Sequence, residues 1–144
     1  MKIQINEGFS DVGIIINCPE RTDAINKMVT LLQGFDNKFC GVKDDQTYFI
    51  DQDDIFYFES VEKRYFIYTA ADVYSTSLRL HEIEDNFADM GFFRSSKSQV
   101  VNIFKIRSLC PDFGGRMELV MENGERLIVS RQYSTLLKER LKLK

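Results

Sequence analysis

Residues Phe92 to Ile103 read FFRSSKSQVVNI, and this stretch decides the fold. Arg94, three serines (Ser95, Ser96 and Ser98) and Lys97 stand directly ahead of the apolar pair Val100-Val101. A hydrogen-bonding turn is thereby fixed to the start of a buried strand. Such a turn suits phosphate oxygens and base edges, because Arg and Lys supply charge and hydroxyls donate or accept.

Strand patterns continue on both sides. Towards the N-terminus, Thr47 to Ile50 and Ile55 to Glu59 flank the acidic turn Asp51 to Asp54, and Tyr65 to Thr69 and Val73 to Leu78 surround Ala70-Ala71-Asp72 as a hairpin. Leu80, Ile83, Phe87 and Met90 have helical spacing, with Gly91 as the stop. Towards the C-terminus, strands are expected at Gln99 to Ile103, Ile106 to Leu109, Met117 to Glu122 and Leu127 to Val129. Asn123-Gly124 is the strongest hairpin signal and predicts a type I′ turn. Ser130 or Ser134 caps a last helix with Tyr133, Leu136, Leu137 and Leu141 as its stripe, and Lys138 to Lys144 suits its basic end.

Residues 1–41 read as a small αβ segment. Lys2 to Asn6 and Val12 to Asn17 are strand-like, Thr22 is a helix cap, Ile25, Met28, Val29 and Leu32 share one helical face, and Gly34 ends the helix. Residues 42–144 form the main domain. The fold class is α+β, mostly β: packed short sheets with one or two helices.

The chain of 144 residues suits one domain with a short extension. No apolar run approaches the length of a membrane span, and the N-terminus lacks the apolar core of a secretory signal, so a cytoplasmic protein is expected. Cys18, Cys40 and Cys110 are odd in number and widely spaced, which argues against disulfides and zinc and for small buried or semi-buried apolar residues. The net charge of −3 hides an asymmetry: residues 1–45 carry −2, 46–91 carry −7, and 92–144 carry +6. A basic C-terminal third is compatible with a polyanion bound on one face.

Catalytic chemistry finds little support. His81 is the single histidine and has no second ligand at metal spacing. No GxGxxG, P-loop or GxSxG occurs. Asp51-Asp53-Asp54 and Glu82-Glu84-Asp85 read as solvated turn and helix faces, and the aromatics alternate as core residues. No enzyme activity, cofactor or metal is expected.

Three segments in register resemble the LytTR family of bacterial DNA-binding domains. Asp54 to Ser60 (DIFYFES) resembles the opening strand of that family. Arg94 to Asn102 resembles its central R-x-x-x-S-x-(V/I)-(V/I)-N pattern, and Asn123-Gly124 with Val129 to Tyr133 (VSRQY) its closing hairpin and helix start. The resemblance covers roughly residues 42 to 143. It implies a mostly β fold that reads double-stranded DNA through three loops at one edge, facing successive major grooves and the intervening backbone.

Carried over residue by residue, the interface comprises Lys63, Arg64 and Tyr65, then Arg94, Ser96, Lys97, Ser98 and Asn102, then Arg131 and Gln132. Arg131 follows a strand and can aim its planar fork at guanine. Lys97 can reach a guanine edge or a phosphate. Lys63, Arg64 and Arg94 suit phosphate clamps, which fix register without reading sequence. Tyr65 stands where some relatives carry a more polar residue, so its ring suits a thymine methyl or the sugar backbone. Structural uses stand beside these roles. Arg94 can brace the fold against a carboxylate, Asn102 can close the turn beyond its strand, and Ser98 can cap backbone groups.

The first 40 residues are too short for a receiver domain. The chain resembles stand-alone regulators of the family, which implies a homodimer on paired half-sites and a functional link to a small membrane protein or transporter. Residues 1–41 would supply the dimer contact. The alternative is a protein-interaction or ligand-sensing module that uses the same scaffold without DNA, which the acidic first two-thirds would suit.

Overall fold

Val100 and Val101 are neighbours in sequence, both fully buried, and belong to different cores. Side chains alternate across a strand, so such a pair requires a sheet covered on both faces. The computed structural model of the chain describes residues 1–36 and 38–143, without the side chains of 30, 31 and 33–36. Lys144, expected in the basic tail, lies outside the described residues. The chain divides into two compact units, Met1–Phe35 and Asp36–Lys144.

The larger unit is built on a seven-stranded antiparallel sheet. Its strands are β1 (Lys38–Lys43), β2 (Gln46–Asp51), β3 (Tyr57–Val61), β4 (Arg64–Tyr68), β5 (Val73–Thr76), β6 (Phe92–Ser96) and β7 (Gln99–Asn102), in the order β2-β1-β5-β4-β3-β7-β6. A second antiparallel sheet, ordered β10-β9-β8, holds β8 (Ile106–Pro111), β9 (Met117–Met121) and β10 (Arg126–Val129). With α1 (Asp23–Asp36), α2 (Leu80–Asn86) and α3 (Arg131–Arg140), the fold is mostly β.

One core joins Ile55, Phe58, Ile67, Phe92 and Val100 to Leu80 and Ile83 of α2. The other joins Phe56, Tyr57 and Val101 to Met117, Leu119 and Met121 of β9, Val129 of β10 and Leu137 of α3. Each fully buried side chain of this size contributes about 1.5–3 kcal/mol of transfer free energy. The pair Tyr57-Phe58 splits between the two cores as Val100-Val101 does.

Two hairpins turn through left-handed residues that are not glycine. Asp44-Asp45 joins β1 to β2 with φ of 52° and 63°, and Glu62-Lys63 joins β3 to β4 with 51° and 65°. Two central residues at positive φ define the type I′ turn, whose twist matches that of the strands. The type I′ turn expected at Asn123-Gly124 does not form. Leu127↔Leu119 and Val129↔Met117 fix the register, and a slip by one residue would expose all four. That register leaves three residues between Met121 and Glu125, whose main chains close the loop at 2.8 Å. Gly124 alone is left-handed, at φ 87°, and its N–H donates to the Met121 carbonyl at 2.9 Å.

Other expectations are adjusted locally. Lys2 to Asn6 and Val12 to Asn17 form no strand; β-branched content favours a strand only where a neighbour accepts its ladder. Thr22 does cap α1, its hydroxyl accepting from Ile25 N–H at 3.4 Å, and the helix runs past Gly34 to Asp36. The helix from Leu80 ends at Asn86 and continues as a 3-10 turn at Ala88–Met90, which left-handed Gly91 stops. Cys18, Cys40 and Cys110, expected to be buried or semi-buried, are free and exposed. Cys40 lies between the two inward residues of β1, Phe39 and Gly41, and so faces out.

Asn102, expected at the DNA interface, is only 3% exposed. Its Nδ2 donates to the carbonyls of Ile55 at 2.9 Å and Gln52 at 3.3 Å, and its Oδ1 accepts from Phe104 N–H at 3.1 Å. It locks the end of β7 to the Gln52–Asp54 turn, the structural use that its place after the strand allowed. Asn102→Ala should therefore lower unfolding free energy by about 1–3 kcal/mol, since buried main-chain groups lose their partners. Urea denaturation checks this, and an unchanged midpoint would refute it.

Candidate nucleic-acid interface

Two main-chain hydrogen bonds tie three separate segments to one edge. Ser60 N–H donates to the Ser98 carbonyl at 2.9 Å, and Ser130 N–H donates to the Ser95 carbonyl at 3.0 Å. The first continues the β3–β7 ladder beyond Glu59↔Gln99, so the Glu62-Lys63 and Lys97-Ser98 turns emerge at the same end of adjacent strands. The second pins the start of α3 beside β6.

The Lys97 turn is tighter than its sequence suggests. Phe92–Ser96 is strand, and only Lys97-Ser98 turns. Arg94 pairs with Val100 and Ser96 with Gln99, so Ser95 is the extra residue of a β-bulge. Ser95 is fully buried and its hydroxyl donates to the Gln99 carbonyl at 3.2 Å. The Ser96 hydroxyl accepts from Ser98 N–H at 3.2 Å and lies 3.4 Å from the Ser98 hydroxyl. These serines shape the turn, and Ser98 itself remains exposed.

Arg94 turns back on its own hairpin. Its Nε donates to the Ser96 carbonyl at 2.7 Å, Nη2 to the Lys97 carbonyl at 2.6 Å and Nη1 to Glu84 Oε2 at 3.1 Å. The side chain is 17% exposed. All three nitrogens are engaged and the charge is paired, which is the bracing use rather than a free phosphate clamp. A guanidinium fits here because its rigid fork meets several acceptors at once.

Lys63, Arg64, Lys97, Arg131 and Gln132 are exposed. Among the described residues, no hydrogen bond or ion pair engages their side chains. Lys63 occupies a left-handed turn position, and Arg64 opens β4. Tyr65 is half-buried against the first core, so part of its ring is committed to packing. Arg131 is the first residue of α3 and Ser130 its N-cap. The Ser134 hydroxyl donates to the Ser130 carbonyl at 3.0 Å, and Tyr133 packs on the second core, which fixes how the helix start is turned. The partial positive charge of a helix N-terminus adds to Arg131.

Glu59 and Gln99, to which the sequence alone assigns no site role, line the strands just behind this edge. Gln99 Nε2 donates to Glu59 Oε2 at 2.7 Å and Tyr68 OH to Glu59 Oε1 at 3.1 Å. Tyr68 stacks on Tyr57 with centroids 4.3 Å apart, and Tyr57 OH donates to Glu125 at 2.6 Å. Burial and then the carboxylate partner hold both phenols protonated above the usual tyrosine range. The period-2 pattern puts Glu59 on a strand, but only pairing shows that Gln99 faces it. Among the described residues no His, Cys, Asp and Glu cluster could hold a metal ion, and no helix is long and apolar enough to cross a membrane.

The family model for the LytTr DNA-binding domain matches residues 45–142. An HTH-type transcriptional regulator of Staphylococcus aureus strain NCTC 8325 is 25% identical over 145 residues, covering 99% of this chain and 98% of its own. Its counterpart in strain MRSA252 is 24% identical with the same coverage. A solved LytTr DNA-binding domain from Bacillus cereus shares the fold, with a TM-score of 0.69 at 24% identity over 73% of this chain and 96% of its own. A match running from β2 through α3, with the three-segment edge inside it, settles the family: the chain belongs to the LytTR family and carries its DNA-binding domain.

Proposed function

We propose that this protein is a sequence-specific transcriptional regulator that reads successive major grooves of double-stranded DNA through the edge formed by Lys63-Arg64, Lys97 and Arg131-Gln132. The observation that carries this reading is the pair of main-chain bonds, Ser60 to Ser98 and Ser95 to Ser130. They hold three cationic segments in one fixed relation, which an interface spanning more than one groove requires. The positive balance of residues 92–144 supports the same face.

Arg131 is the principal base reader, since its fork is unengaged and stands on a helix start held by packing. Lys97 reaches a guanine edge or a phosphate from a turn that Arg94 braces from behind. Lys63 and Arg64 contact phosphates. Gln132 contributes an adaptable donor and acceptor, and Ser96 and Ser98 shape the turn. Tyr65 offers only the exposed part of its ring, to a sugar or a thymine methyl. The regulator acts in the cytoplasm as a homodimer on paired half-sites, with residues 1–41 supplying the dimer contact. A gene for a small membrane protein or transporter is its functional neighbour.

Selection of a randomised duplex library at two salt concentrations tests this reading. A paired motif should emerge, with retention falling steeply as salt rises. Folded protein that retains no duplex would point instead to an interaction module on this scaffold. On the selected duplex, Arg131→Ala should cost about 1–3 kcal/mol and relax preference at one position per half-site. Lys63→Ala should weaken all duplexes about equally and flatten the salt slope. The groove assignment fails if Arg131→Ala leaves preference intact, and the clamp assignment fails if Lys63→Ala changes preference more than affinity. Light scattering should give the mass of a dimer; a monomer at high concentration, with and without DNA, removes that part of the proposal.

A further inference from the structure

The turn between β8 and β9 lies against the side chain of Arg131. A methyl group built on Gly115 would come within 3.2 Å of Arg131 Cγ, 3.5 Å of Cδ and 3.6 Å of Nε. The aliphatic stem of the arginine therefore runs close over the bare α-carbon of Gly115, where a Cβ would push it aside by a few tenths of an ångström. Gly114, the preceding residue, has nothing within 4 Å of the same point. Both glycines are left-handed, at φ 75° and 82°.

The turn that offers this seat is closed on itself. Asp112 N–H donates to the Arg116 carbonyl at 2.8 Å, and Arg116 Nε donates to the Phe113 carbonyl at 3.1 Å. The Arg116 guanidinium also lies 3.6 Å from the Asp112 carboxylate. The cation of this turn is thus committed to holding its shape. Bidentate recognition of a base depends on where the guanidinium plane points, and a long side chain in solvent samples many rotamers.

We propose that Gly115 is a specificity-determining positioning residue: the closed Asp112–Arg116 turn cradles the stem of Arg131 and aims its guanidinium at the base it reads. This rests on the base-reading role proposed for Arg131. The Asp112–Arg116 turn is then a fourth element of the interface, acting through Arg131 without touching DNA.

The two glycines supply a matched experiment. Gly115→Ala and Gly114→Ala both put an alanine at positive φ, but only the first crowds Arg131. Binding would be measured on the duplex selected by the unaltered protein and on its single-base variants, with folding verified by circular dichroism. Gly115→Ala should cut discrimination by roughly tenfold at the base pair where Arg131→Ala also loses it. Gly114→Ala should leave it unchanged, and Gly115→Ala should add nothing in an Arg131→Ala background. Should alanine at 115 prevent folding, Gly115→Asn and Gly114→Asn repeat the comparison, because asparagine tolerates positive φ. Equal losses in both glycine variants would assign the effect to backbone strain and overturn the proposal. So would preserved discrimination in Gly115→Ala alongside its loss in Arg131→Ala, leaving the base-reading role intact. If Arg131→Ala itself kept full discrimination, that role and the cradle would fall together.

Discussion

Burial of β3 and β7 on both faces is the constraint on which the rest of the larger unit depends. Tyr57 and Val101 face the second sheet and α3, while Phe58 and Val100 face α2. A shift of either strand by one residue would exchange its two buried faces and break the Glu59–Gln99 pair. The register is therefore strongly fixed, and with it the height at which the hairpin turns leave the sheet. An edge built at the ends of such strands inherits their rigidity.

The cations divide by where this scaffold puts them. Arg94 and Arg131 are the same residue type, one on β6 and one beside it, yet the first is tied to Glu84 and two carbonyls while the second has no polar partner among the described residues. Removing the Glu84 partner would leave a largely covered charge uncompensated, whereas exposed cations lose little on their own. Arginines that hold the edge and arginines available to a ligand are thus separated by burial, not by chemistry.

The regulators of Staphylococcus aureus to which this chain is similar bear the label HTH-type. Among the described residues no two α-helices are joined by a short turn: strands β1 to β5 separate α1 from α2, and β6 to β10 separate α2 from α3. Under the proposed reading, recognition would fall to strand ends and one helix start. Its geometry is set by ladder register more than by helix crossing angles.

By itself, the sequence determined the strand-rich class, most element positions, the hairpin from Asn123 to Gly124, and the cations at 63, 64, 97 and 131. These are legible because side-chain period, turn residues and charge are local properties. It also placed the family motif, but not the division of labour within it. Asn102 and Arg94 read as interface residues by motif, and only tertiary structure shows that their polar atoms are spent on Ile55, Gln52, Glu84 and their own turn. Tertiary structure alone likewise set the three-residue loop at Asn123-Gly124, the type I′ turns at Asp44-Asp45 and Glu62-Lys63, and the seat of Arg131 on Gly115. The three turns follow from the register of the strands they join, which overrides local turn preference, and the seat of Arg131 follows from packing between elements distant in sequence.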